Sequence, residues 1–174
     1  MIPPGALATE LRGLHAELEY AWEVAQEERR WSLLQPAVSS WSVGDHLEHL
    51  MLADTGILNW LHRAALGEEF DTAGRPSKIG YVILATGFIP RGKGTAPERT
   101  LPEHLDRDVV LDGLGRVRQL AGDLQQRTSE LRNTSARRRH PALGFLNAHQ
   151  WTRFAHVHHR HHRKIMADIM RRSV

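Results

Sequence analysis

The chain has 174 residues, 41% hydrophobic and 25% charged, which suits one domain around a single core. It contains no cysteine, so disulfides, thiolate metal sites and a cysteine nucleophile are excluded, and any metal must rest on His, Asp, Glu and water. The net charge of +3 is mild, with acidic residues spread among the basic ones, and it gives little ground for nucleic-acid binding. The opening Met1-Ile2-Pro3-Pro4-Gly5 has no basic and apolar leader. The longest apolar run, residues 81–90, is too short to span a bilayer, so a cytoplasmic protein with no membrane partner is expected.

Hydrophobic periodicity predicts four helices and no alternating strand of useful length. The first opens near Pro4 and runs to about residue 30, with Leu7, Leu11, Leu14, Leu18, Ala21, Trp22 and Ala25 as its stripe. The second has Ser42 as N-cap, with Asp45 three residues on where a capping box commonly has Glu or Gln. Leu47, Leu50, Ile57, Leu58 and Leu61 line it, and Gly67 suits its stop. The third spans about residues 106–132. Its stripe of Val110, Leu114, Val117, Ala121 and Leu124 is weakened by Gly113, Gly115 and Gly122, each costing about 1 kcal/mol against Ala. The fourth has Asn147 as N-cap, Gln150 at capping-box spacing, and continues to near residue 172. Between the second and third lies a Gly- and Pro-rich connection, about residues 68–105, long enough to let helices two and three run parallel. Within it, Tyr81-Val82-Ile83-Leu84 is expected to pack on the bundle as a short helix or cap. Gly87-Phe88-Ile89-Pro90-Arg91-Gly92-Lys93 imitates the start of a phosphate-binding loop. Gly94 stands where Ser or Thr must reach magnesium, and Pro90 and Pro97 interrupt the strand-loop-helix context, so nucleotide binding is rejected. No GxSxG element supports a serine nucleophile. Core packing is the default role of the tryptophans.

Chemistry concentrates in the fourth helix, in His156-Val157-His158-His159-Arg160-His161-His162. His158 and His162 are four apart and lie on the apolar stripe with Trp151, Phe154, Ile165 and Ile169. Two inward imidazoles cost desolvation energy unless partnered, and a metal satisfies one nitrogen of each. His156 and His159 turn away from that stripe and are expected to be solvated; His161 borders it. A third ligand must come from another segment. His49 is the best candidate, and His46, nearly one turn back, competes. Asp45, one turn before His49, could orient a ligand His, accept a proton as a general base, or simply complete the helix cap. Asp54 is expected on the solvated side.

Two segments carry a family resemblance. Trp41-Ser42-Val43-Gly44-Asp45-His46-Leu47-Glu48-His49-Leu50 resembles the WSxxExLxHL opening of the second helix in the DinB/YfiT-like superfamily of metal-binding four-helix bundles. His140-Pro141-Ala142-Leu143-Gly144, then Trp151, Phe154, His158 and His162, resembles that family's HPxLG…W..F…HxxxH stretch. The resemblance spans most of the chain, treated as one domain over residues 1–174. It implies an all-α, up-down-down-up four-helix bundle, often a homodimer, with a divalent metal held by His49, His158 and His162. Position 45 is commonly Glu and position 46 apolar, whereas this chain has Asp45 and His46. Zinc and nickel lead among metals, although imidazole also suits iron and copper. The expected function is a metal-dependent enzyme acting on a small molecule. It would hydrolyse by metal-bound hydroxide or transfer to a low-molecular-weight thiol activated at the metal, with Asp45 as the candidate catalytic base. A non-catalytic metal- or ligand-binding stress-response protein is the alternative. A DNA-associated role for Arg137-Arg138-Arg139 ranks last.

Overall fold

The computed structural model describes residues 6–68 and 70–173. The predicted start at Pro4 lies outside the described residues. Four long helices make the body: α1 (Ala6–Gln26), α3 (Val43–Ala65), α5 (Arg107–Gln126) and α7 (Ala148–Arg172). Shorter helices α2 (Glu28–Trp31), α4 (Lys78–Thr86) and α6 (Thr128–Asn133) fill the connections. Helix α1 packs against α5 and α7, and α3 packs against the same two, so α1 and α3 touch little. Leu11, Leu14 and Leu18 of α1 meet Leu47, Leu50, Leu58 and Leu61 of α3, Leu114 and Leu124 of α5, and Met166 and Ile169 of α7 in one fully buried core. Each such side chain contributes about 1.5–3 kcal/mol relative to exposure. No helix among the described residues is long and apolar enough to cross a membrane.

The two helices that carry the histidines start where capping predicts. Ser42 Oγ accepts from the Asp45 N–H at 3.1 Å, and Asp45 Oδ2 accepts from the Ser42 N–H at 2.9 Å. Asn147 and Gln150 make the same reciprocal pair at 2.9 and 3.0 Å. These boxes fix where α3 and α7 begin, and hence the heights of His49, His158 and His162. Asn147→Ala should therefore cost about 1 kcal/mol, seen as a fall in melting temperature of roughly 2–4 °C. Gly67, at φ +81°, follows the end of α3 as its position in the sequence suggests.

Three features differ from the periodic pattern. The first predicted helix divides into α1 and α2. The third divides at Arg127, because the Thr128 hydroxyl donates to the Gln125 carbonyl at 2.7 Å and competes with the helix ladder. The glycine that weakens α5 most usefully is Gly113: a Cβ there would meet Met51 Sδ at 2.7 Å, so its absence lets α5 approach α3. The third difference is a two-stranded antiparallel hairpin, β1 (Arg137–His140) with β2 (Gly144–Asn147), just before α7. Its first strand reads Arg-Arg-Arg-His, so no alternation announces it. His140 Nδ1 accepts the N–H groups of Ala142 and Leu143, both at 3.1 Å, and closes the turn. Gly144 has φ +80°, and a Cβ there would stand 2.7 Å from the Arg75 carbonyl oxygen.

The long connection is stapled to this hairpin. Asp71 accepts from the Arg137 N–H at 2.6 Å, Arg75 from Phe145 at 3.0 Å, and Leu143 from Ser77 at 2.8 Å. Helix α4 follows, started by Ser77 and ended by Gly87 in the left-handed region. That helix stop accounts for the first glycine of the false phosphate loop. Within α4 only part of the apolar run packs inward: Ile83 is buried, whereas Tyr81 and Val82 are exposed.

Candidate metal centre

His49 projects from α3 and His158 and His162 from α7 into one spot. The Nε2 atom of His158 lies 3.1 Å from that of His49 and 3.1 Å from that of His162, and one nitrogen from each ring lies within 4.8 Å of the others. A zinc–nitrogen bond of about 2.0–2.1 Å places neighbouring ligand nitrogens roughly 3.0–3.4 Å apart, so the spacing suits a shared cation.

The opposite ring nitrogens decide which lone pairs are available. His49 Nδ1 lies 2.7 Å from the Thr100 carbonyl oxygen, which can only accept, so this nitrogen carries the proton and Nε2 is left bare. His162 Nδ1 lies 2.9 Å from His46 Nδ1, and His46 Nε2 lies 3.1 Å from Ser39 Oγ. With each proton passed outward along this chain, from His162 to His46 and from His46 to Ser39, His162 Nε2 is bare as well. A proton on His158 Nε2 could serve only one of its two neighbours. Hydrogen bonding alone therefore leaves the cluster short of donors, and a cation resolves it. Burial, reinforced by the neighbouring imidazoles, pushes His158 and His162 well below the usual imidazole range, and burial lowers His49 too. All three are thus neutral at neutral pH, the form a metal ligand needs.

Supporting groups come from segments with no local signal. Glu48, buried beside His49, accepts from the backbone N–H groups of Glu103 at 2.7 Å and Leu105 at 3.1 Å. This ties down the end of the long connection, and Thr100 stands on the same segment. Glu48→Ala should weaken metal binding about tenfold through misplacement of the Thr100 carbonyl, measurable by competition with a chelating dye. Trp41 covers the cluster, its ring 5.1 Å from that of His49 and stacked at 6.4 Å on His162.

Among the other residues singled out in the sequence, His46 turns its ring to His162 Nδ1 rather than to the Nε2 cluster. His161 borders the adjoining cavity but stands outside the ligand group. Asp45 engages Ser42 through one oxygen and His104 Nδ1 at 3.0 Å through the other. Three positions expected in solvent are not there. Asp54 and His159 are buried and hydrogen-bonded to one another between α3 and α7, and half-buried His156 meets Glu10 of α1 at 2.7 Å. The reason is that α7 is covered on two sides, by α1 and α3, so its buried surface is wider than one i, i+4 stripe. Arg138 is likewise half-buried, in β1.

The cluster borders a cavity of about 440 Å³ walled mainly by apolar side chains, among them Ile57, Ile83, Leu143, Trp151 and Phe154. Burial pushes His46 and His140 down to about 4, from the usual 6.5. The unfolded chain therefore binds more protons than the folded one between those values. The stability these two groups lend is full above about pH 6.5 and is lost as pH falls toward 4. Chemical denaturation of metal-free protein should show its midpoint falling across that window, and a midpoint flat from pH 6.5 to 4 would contradict the burial of these rings.

A mostly helical domain with three imidazole nitrogens converging beside an apolar cavity defines a candidate metal-binding helical protein. The family model of the DinB superfamily matches residues 8–166, and the chain belongs to that superfamily. Comparison with curated proteins and with solved structures gave no match.

Proposed function

We propose that this protein is a metal-dependent enzyme acting on a small molecule, its four long helices forming an up-down-down-up bundle. The observation that carries this reading is the convergence of three Nε2 atoms on one spot at the border of the apolar cavity. His49, His158 and His162 would hold a divalent cation, zinc or nickel, which would supply Lewis acidity toward water or a low-molecular-weight thiol as nucleophile. With no cysteine in the chain, a thiol would arrive as a co-substrate. Three protein ligands leave coordination positions free, as such chemistry requires.

The chain's own residues then have distinct tasks. Thr100 and His46 hold His49 and His162 in the ligand tautomer, and Trp41 keeps bulk water from the cluster. The apolar walls take up the substrate body. For Asp45, its contacts with Ser42 and His104 favour fixing the first turn of α3 over accepting a proton from the reacting group. Homodimerisation belongs to the same proposal, and light scattering on the purified protein tests it.

The test is metal analysis by mass spectrometry on tag-free protein, followed by zinc- and nickel-loaded assays on a panel of hydrolysable and thiol-accepting substrates. Near one metal per chain and metal-dependent turnover support the reading. Full occupancy without turnover on any substrate would leave a metal-binding protein without catalysis. No metal after reconstitution would remove the basis for both.

A further inference from the structure

Among the described residues, the cavity beside the histidines is lined by charged groups of one sign: Arg99, Arg138 and Lys93, with no Asp or Glu. Among the described residues, no carboxylate lies within ion-pair distance of Arg99 or Arg138, whereas Arg63 nearby is paired with Glu68 at 2.5 Å.

Arg138 is not a loose surface side chain. Its guanidinium donates to the Gly56 carbonyl at 2.6 Å and stands 5.9 Å from the centre of the Trp151 ring. Its backbone is held as well: it sits in β1, opposite Leu146, and its carbonyl accepts from Trp151 Nε1 at 3.1 Å. Burial, then the positive charges of Arg99 and Arg63, make its protonated form less favourable than in water. Among the described residues, this half-buried guanidinium has a second one near it and no carboxylate within ion-pair distance, which is a standing electrostatic cost. An oxyanion removes it, because the planar fork of Arg matches a carboxylate or a phosphate.

We propose that the cavity takes a small organic oxyanion, with Arg99 and Arg138 holding the anionic group, the apolar walls its body, and its reacting end turned to the three Nε2 atoms. The cavity, at about 440 Å³, has room for a body of one ring or a short chain beside that group. What happens at the reacting end rests on the function proposed above; the anion site itself needs no metal.

The experiment is titration calorimetry with phenylacetate, phenyl phosphate and neutral phenylacetamide. It uses protein dialysed against chelator and, separately, zinc-loaded protein. At least one anion should bind metal-free protein about tenfold or more tighter than the amide, and the tighter of the two names the oxyanion class. The preference should fall to about twofold or less in Arg99→Gln/Arg138→Gln. Because Arg138 also supports Gly56, exposed Arg99 is changed alone in a second variant, which should lose about threefold or more of the preference while keeping its melting temperature. Equal binding of anion and amide, or no binding of either anion, overturns the proposal. A preference that appears only with zinc and survives both variants also overturns it, placing the anion on the metal and leaving the proposed function intact. A preference lost in the variants, in protein that takes up no metal, supports the anion site and removes the metal-dependent function instead.

Discussion

His162→Ala should reduce metal content from near one per chain to near zero, with affinity weakened by more than about 100-fold. Disturbing a mere supporting partner costs up to about that much, and this change deletes a ligand. The two nitrogens left, on His49 and His158, remain 3.1 Å apart but offer a divalent ion only two donors. The fold should survive. The variant loses a buried ring and leaves His46 Nδ1 without its partner, about 1–3 kcal/mol for the unsatisfied group, within the stability of an ordinary domain. His161→Ala is the matched control: it is adjacent and borders the same cavity, yet lies outside the Nε2 cluster, so it should keep its metal. Measured side by side with circular dichroism, full occupancy in folded His162→Ala protein would end the three-histidine assignment.

The second large effect should come from a pair that contacts no ligand atom. Asp54 has no exposed surface and His159 only 1%. Asp54 Oδ2 meets His159 Nε2, while its Oδ1 has no hydrogen-bond partner. Removing one member strands the other in the core, at a cost of about 3–5 kcal/mol. For a chain of this length that corresponds to a loss of roughly 6–20 °C in melting temperature. Asp54→Ala should show it by calorimetry, and Asp54→Asn, which keeps the volume and one acceptor, should lose less. Asp168→Ala removes the partly exposed surface partner of Arg171 and Arg91 and should cost no more than about 1 kcal/mol. If Asp54→Ala and Asp168→Ala melt together, the buried pair adds no more than a surface one. Because Asp54 and His159 join the two helices that carry the three candidate ligands, Asp54→Ala should also loosen metal binding.

Some of this was decided by local sequence. The capping boxes at Ser42 and Asn147 and the leucine stripes set the long helices, since both depend on spacings of three and four within one segment. The same spacing aligned His158 with His162, and the two family-like segments singled out His49 as their partner. Membership of the DinB superfamily was legible for the same reason: its motifs lie within single helices and the turn before α7.

What the tertiary structure alone decided lies between segments distant in the chain. Thr100 meets His49 across 51 positions and His46 meets His162 across 116, so no spacing rule could assign those tautomers. Asp54 and His159 were misplaced because a single stripe predicts one buried line, whereas α7 is covered by two helices at once. The hairpin has no alternating pattern because four polar residues form its first strand; its pairing with β2 makes the sheet, and the staples from Asp71 and Arg75 anchor it. Local periodicity fixes which face of a helix turns inward. Which groups meet there, and which nitrogen is left to bind, depends on the neighbours that close over that face.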